Sequence, residues 1–208
     1  MTRVKVCGIT DPADAVLAVS LGASAIGLVF WPSSPRCVTP ELARAIVAAV
    51  PAFVSTVGVF VDQVDEARTL ARELRLSAVQ FHGDETVEEY AGFPSPVIKA
   101  VPVRDSSTHS AAAMVPADVT VLLDAHDPIK RGGTGRTVDW TIASDIARQR
   151  AIVLSGGLNA ANVADAIAAV RPYAVDVSSG VEAAPGKKDP SKLRAFFAAV
   201  RDAHGGRA

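Results

Sequence analysis

The chain has 208 residues, enough for one large domain or two small ones, and its net charge of −1 excludes a surface that holds nucleic acid by bulk electrostatics. It is 49% hydrophobic but only 5% aromatic, so any core must be built from Ala, Val, Leu and Ile. Two cysteines, Cys7 and Cys37, make no disulfide framework and fit a reducing, cytoplasmic setting.

Short apolar runs alternate with amphipathic segments from end to end. The runs at 4–7, 25–30, 55–61, 78–81, 97–101, 119–123, 151–154 and 174–177 are continuous rather than alternating, as strands buried on both faces should be. Helices are expected at 12–21, 40–49, 64–74, 85–91, 107–114, 140–148, 160–170 and 191–203. In the last of these, Leu193, Phe196, Phe197 and Val200 recur at helical spacing. No Pro/Gly/Ser linker divides the chain. Eight strand–helix units of about 26 residues each predict one domain over 1–208, an α/β protein with a closed (β/α)8 TIM barrel near the lower size limit of that fold. The rival is an open doubly wound sheet, which usually has fewer strands and a Gly-x-Gly-x-x-Gly turn after the first. Here that turn reads Cys7-Gly8-Ile9-Thr10. The start Met1-Thr2-Arg3-Val4-Lys5 has no signal-peptide stretch, and runs such as 25–31 are far short of a membrane span. His82, His109, His126 and His204 show no metal-ligand spacing, so no metal site is expected.

Barrel active sites form from the loops that follow each strand. Taken in order, those junctions are unusually polar and rich in glycine. Cys7 stands at the tip of the first strand before Gly8, and a helix start follows, with Thr10 or Asp11 as cap and Pro12 in the first turn. Unpaired N–H groups and the helix dipole favour an anion there, so Cys7 is either a thiolate base or nucleophile or a buried structural thiol. After the second strand, Trp31-Pro32-Ser33-Ser34-Pro35-Arg36 is a stiff loop that could hold Arg36 for bidentate carboxylate binding or leave it on the surface. Cys37 is given no chemistry. Asp62-Gln63 follows the third strand and His82-Gly83-Asp84 the fourth; His82 reads equally as a packed residue or a site residue. Asp124 ends the apolar run Val121-Leu122-Leu123, where desolvation favours the neutral carboxyl of a general acid, though a turn-capping aspartate is the commoner fate. Beyond it lies Lys130-Arg131-Gly132-Gly133-Thr134-Gly135. The seventh and eighth junctions pair Gly156-Gly157 with Ser178-Ser179-Gly180, glycines that let backbone approach an anion beside hydroxyl and amide donors, with Asn159 able to cap the next helix. Together they read as a phosphate clamp.

At this point the residues have a family look. Lys5-Val6-Cys7-Gly8-Ile9-Thr10, Phe30-Trp31-Pro32-Ser33-Ser34-Pro35-Arg36, Gly58-Val59-Phe60-Val61 and Val79-Gln80-Phe81-His82-Gly83-Asp84 closely resemble phosphoribosylanthranilate isomerase. So do Leu123-Asp124, Gly132-Gly133-Thr134-Gly135, Leu154-Ser155-Gly156-Gly157-Leu158 and Asp176-Val177-Ser178-Ser179-Gly180-Val181-Glu182. The resemblance spans nearly the whole chain in order and is poorest around 103–117. It implies a (β/α)8 barrel of tryptophan biosynthesis that works without cofactor on a small phosphosugar, with no membrane and no obligate protein partner. The reaction it implies is an Amadori rearrangement of N-(5-phosphoribosyl)anthranilate to 1-(2-carboxyphenylamino)-1-deoxyribulose 5-phosphate. In that family the residue matching Asp124 protonates the furanose ring oxygen, and the one matching Cys7 removes the sugar C2 proton. Arg36 matches the binder of the anthranilate carboxylate, His82 a residue lining the site, and Gly156, Gly157, Ser178, Ser179 and Gly180 the phosphate loops. Other phosphosugar barrels fit less well. Indole glycerol-phosphate synthase would use a lysine set, with Lys99 a possible member and Cys7 idle. The histidine-pathway isomerase is expected to place an aspartate where Cys7 stands. A non-catalytic barrel would have no use for Cys7, Arg36 and Asp124 together.

Overall fold

The computed structural model of the chain describes residues 2–125 and 138–205. Each apolar run becomes a parallel strand: β1 (Arg3–Cys7), β2 (Ala25–Val29), β3 (Ser55–Phe60), β4 (Ala78–Phe81), β5 (Val97–Val103), β6 (Thr120–Ala125), β7 (Ile152–Leu154) and β8 (Ala174–Val177). They pair in sequence order, and β8 returns to β1 with Lys5 opposite Asp176 and Val6 opposite Val177, which closes the barrel. Closure removes every edge, so each strand meets helices on one face and the barrel interior on the other. The runs are continuous for that reason.

The outer ring is α1 (Pro12–Leu21), α2 (Pro40–Ala49), α3 (Val64–Glu73), α4 (Val87–Tyr90), α5 (Ser107–Met114), α6 (Trp140–Ala147), α7 (Val163–Val170) and α8 (Pro190–Gly205). Between strands and helices lies the main core, with Val6, Ile26, Phe60, Phe81, Leu123, Leu154 and Phe196 all fully buried. A smaller cluster of Ala100, Leu122, Val153 and Ala174 fills the barrel interior. Above it Cys7, Val29 and Val59 group with Trp31.

Several boundaries depart from the sequence reading. β6 continues to Ala125, so Asp124 lies within the strand and Leu122 is on its face of the barrel. The helix expected at 85–91 shrinks to α4: a Thr86–Glu89 capping box starts it, and Glu85 is drawn inward by Lys99. α7 begins at Val163 with Asn162 at its N-cap position, so Asn159 does not cap it. Asn159 instead accepts from Ala161 N at 2.8 Å, a turn that postpones the helix. A short antiparallel hairpin, β9 (Glu182–Ala184) and β10 (Lys187–Lys188), was not foreseen, because neither strand has an apolar run. Asp11 caps α1 by accepting from Ala13 N at 2.8 Å, while the Thr10 hydroxyl donates to the Gly186 carbonyl in the hairpin turn. The glycine-rich stretch at 130–135 and His126 lie outside the described residues.

Candidate active site

Strand periodicity decides what the barrel mouth contains. Side chains two apart share a face, so Lys5 and Cys7, Gln80 and His82, Leu122 and Asp124, and Ala174, Asp176 and Ser178 all point inward. At the C-terminal ends of the strands Cys7, Gln80, His82, Asp124, Asp176 and Ser178 of this set line a cavity of about 400 Å³, with Lys5, Leu122 and Ala174 one layer below. Cys7, Arg36, His82, Asp124 and Ser178 line it together, although the first and last are far apart in sequence. Val29, Trp31, Val59 and Val61 make one wall apolar, suited to an aromatic ring. Pro185 of the hairpin turn closes another side.

Asp124 is buried, and its Oδ1 accepts from Ala125 N at 2.9 Å. Its Oδ2 lies 3.2 Å from His82 Nε2, while His82 Nδ1 is 2.9 Å from Gln80 Nε2. An amide nitrogen can only donate, so in this arrangement Nδ1 accepts and Nε2 carries the hydrogen directed at Asp124. Gln80 therefore belongs to the site, orienting the histidine from two residues before it.

Arg36 is held, but by a residue to which the sequence reading assigned no role. Its Nε donates to Glu182 Oε1 at 2.8 Å and its Nη2 to Oε2 at 2.7 Å, a bidentate pair on a mostly buried carboxylate. The Nη1 hydrogens and the second on Nη2 remain for a ligand anion. Burial raises the Glu182 carboxyl, but Arg36 and Lys188 outweigh it, and the net direction is below the ordinary value. Lys188, fully buried, donates to Glu182 Oε1 at 2.8 Å and to the carbonyls of Cys7 and Ser178 at 2.6 and 3.4 Å. One ammonium thus ties β1, the eighth loop and the arginine clamp together.

The Cys7 thiol departs from expectation in one respect. Helix N-termini were expected to depress it, yet burial pushes it up, with Lys5 and Lys188 pulling the other way and Asp176 adding to the rise. Desolvation at this strand tip outweighs the pull of the two ammonium groups, so burial favours the neutral thiol.

Beside the main cavity a small recess of about 20 Å³ is lined by Asp124, Ser155, Gly156, Gly157, Leu158, Asp176, Ser178 and Ser179. Gly156 and Gly157 have φ of 84° and 64°, which favour glycine, and a Cβ on Gly156 would come within 2.6 Å of Ala125 N. Ser178 Oγ is buried and has no hydrogen-bond partner among the described residues. Gly180 does not line the recess; a Cβ there would collide with the Leu158 carbonyl oxygen, so its small size lets the two loops pack. Lys99 is not in the cavity wall, since it donates to Glu85 Oε2 at 2.6 Å and the Gly83 carbonyl at 2.8 Å. Cys37 is exposed. Among the described residues no cluster of three His, Cys, Asp or Glu is placed to hold a metal, and no helix is long and apolar enough to cross a membrane.

A closed barrel with a titratable cluster beside a glycine-lined recess at the C-terminal ends of its strands defines a (β/α)8-barrel enzyme. Comparison with known proteins narrows the class. The family model described as N-(5'-phosphoribosyl)anthranilate (PRA) isomerase matches residues 4–199, so the chain belongs to that family, isomerases of tryptophan biosynthesis. The N-(5'-phosphoribosyl)anthranilate isomerase of Pelobacter propionicus is 49% identical over 204 residues, covering 97% of each chain. The crystal structure of phosphoribosyl anthranilate isomerase from Thermotoga maritima superposes with a TM-score of 0.89 at 43% identity, over 99% of this chain and 100% of that one. Another, in complex with reduced 1-(o-carboxyphenylamino)-1-deoxyribulose 5-phosphate, gives 0.87 at 41% identity over 97% of this chain and 100% of that one.

Proposed function

We propose that this cavity carries out the family's Amadori rearrangement of N-(5-phosphoribosyl)anthranilate with Asp124 as acid, Cys7 as base, Arg36 as carboxylate binder and the glycine–serine recess as phosphate binder. The observation that carries this reading is the convergence of Cys7, Arg36, His82 and Asp124 on one cavity beside a recess with an unpartnered buried hydroxyl. The phosphate enters the recess, where the amides of the Gly156-Gly157 turn and the Ser178 hydroxyl meet it. The anthranilate ring lies on Val29, Trp31, Val59 and Val61, its carboxylate on the free N–H groups of Arg36. The ribose is left between Cys7 on one wall and Asp124 on the other.

Asp124 protonates the furanose oxygen, and the C1–O bond breaks as the anthranilate nitrogen forms a Schiff base. For that step one proton is taken up from solvent, so that the carboxyl carries a hydrogen directed at His82 Nε2 while the neutral imidazole keeps its own on Nδ1, donated to the Gln80 oxygen in the other orientation of the same amide. Cys7, after releasing its thiol proton to solvent, takes the C2 proton as the thiolate; the C2–H electron pair forms the C1=C2 bond of the enolamine while the C=N pair returns to nitrogen, and protonation at C1 with loss of the O2 proton gives the ketone. The bound phosphate and carboxylate hold the open-chain intermediate across both steps, which is the entropic part of the rate. The experiment that tests the reading follows loss of phosphoribosylanthranilate fluorescence with purified protein. No turnover above the spontaneous rate would reject it.

A further inference from the structure

Lys5 is a buried ion inside the barrel that no step above uses. It sits one inward position below Cys7 on β1, and the β1–β8 register sets it opposite Asp176. Its Nζ lies 3.0 Å from Asp176 Oδ1, with the two side chains 5% and 6% exposed. On its other side the β1–β2 register brings Gly27 opposite Cys7. A Cβ on Gly27 would come within 2.8 Å of Cys7 Sγ and 3.2 Å of Lys5 Cε, so the lysine stem and the thiol share the room the missing side chain leaves.

We infer that Lys5 is a positioning residue for the family reaction, its ammonium bridging Asp176 and Cys7 so that the buried sulfur can exist as a thiolate. The inference rests on the reading of Cys7 as the base. A thiolate in this place has little water to solvate it, so protein charges must do so. The charged groups around it are Lys5 on its own strand, Asp176 on β8, Lys188 on β10 and Arg36 on the second loop, with His82 and Asp124 across the cavity. Lys188 has its N–H groups engaged by two carbonyls and Glu182, and Arg36 is turned to Glu182. Lys5 gives one hydrogen to Asp176 and keeps others for the sulfur. Burial pulls the Lys5 ammonium down, but Asp176 and Cys7 outweigh it and hold it above its ordinary value. A buried lysine serving only the barrel wall needs Asp176 alone; the Gly27 gap opens it toward the sulfur as well.

The test titrates Cys7 by its ultraviolet thiolate absorbance and by iodoacetamide rate, in a Cys37→Ser background that removes the exposed second thiol. Lys5→Met, and Lys5→Gln whose amide can still donate to Asp176 should the first not fold, are expected to move the midpoint up by about one pH unit or more. Asp176→Asn, which removes the opposing charge, should move it down. The acidic limb of kcat/KM should follow the Lys5 shift, lowering kcat/KM at neutral pH about tenfold. An unmoved midpoint in Lys5→Gln overturns the inference and leaves the role of Cys7 intact. A moved midpoint with an unmoved acidic limb also overturns it, and normal turnover by Cys7→Ala would then place the fault in the base assignment.

Discussion

The two sides of the barrel mouth are built in contrasting ways. The side around β1, β2 and β8 holds a connected set of buried charges, Lys5, Asp176, Lys188, Glu182 and Arg36, tied to the backbone at Cys7 and Ser178. The facing side, on β4 and β6, has a short chain of Gln80, His82 and Asp124 joined by single hydrogen bonds. On the first side each buried charge has a partner distant in sequence, so the cluster is rigid and costly to disturb. On the second, Gln80 and His82, two residues apart, orient one carboxylate through single hydrogen bonds, whose direction reverses when the Gln80 amide turns over. A base that must be ionised where burial opposes it needs fixed countercharges, whereas an acid that gains and loses a proton each cycle needs a reversible hydrogen bond. On the proposed assignment of Cys7 and Asp124, the mouth supplies one of each.

Breaking the contrast at its centre should give the largest effects. Cys7→Ala is expected to lose at least the roughly 10²–10⁴ in rate typical of a general base, with fold and product affinity nearly intact. More than about a tenth of the parent kcat would remove Cys7 as base, since that leaves only ~1.4 kcal/mol for the group. Asp124→Asn should lose most activity too, because the amide cannot protonate the ring oxygen; a near-normal rate would mean that another donor opens the ring. Binding changes come next. Truncating Arg36 to Ala should weaken substrate and product alike by roughly ten- to hundredfold, the worth of a charge-assisted hydrogen bond of about 1.5–3 kcal/mol. Glu182→Gln should raise KM more than it lowers kcat, because the guanidinium keeps its charge but loses its anchor. An unchanged product Kd in Arg36→Ala would take the arginine out of the site.

Smaller effects sharpen the comparison. Replacing Gly157 by a bulkier residue should weaken inhibition by inorganic phosphate together with substrate affinity, and equal inhibition of variant and parent would place the clamp elsewhere. The least of the expected changes is in stability against pH. The Glu182 carboxyl lies below its ordinary 4.5 in the folded chain, so the native state binds fewer protons than the unfolded one across that window. Its stabilisation is therefore complete above about pH 4.5 and is lost as pH falls through the lower folded value. Thermal melts of Glu182→Gln should show a lower Tm near neutrality and a shallower fall on acidification, and parallel Tm–pH curves would contradict the linkage.

Much of this was legible along the chain. Continuous apolar runs and their spacing sufficed for a closed barrel, because strands covered on both faces cannot alternate. Cys7, His82, Asp124 and most of the two glycine–serine loops could be placed at the barrel mouth from the sequence, because residues that follow strands gather there. Gln80 and Lys5 carried a usable signal that went unread: each lies two residues before a chosen one and so on the same face. Glu182 lay inside a family-like block without a role, and Lys188 had no local signal at all, since a lysine in a two-residue strand reads as surface. The shortened α4 and the missed cap at Asn159 have different causes: Glu85 found a tertiary partner in Lys99, whereas Asn159 closes a local turn onto Ala161 N that delays α7.

By itself, the sequence determined the strand–helix alternation, the inward parity of each strand and the residue types at each strand tip, because these depend on near neighbours and on burial of apolar runs. Only the tertiary structure decided which charges meet. The register that sets Lys5 against Asp176, the gap at Gly27 beside Cys7 and the reach of Lys188 to the Cys7 and Ser178 carbonyls all follow from closing the barrel. Closure brings together residues from opposite ends of the chain, and electrostatic pairing in a dry interior depends on distance in space, which no local pattern encodes.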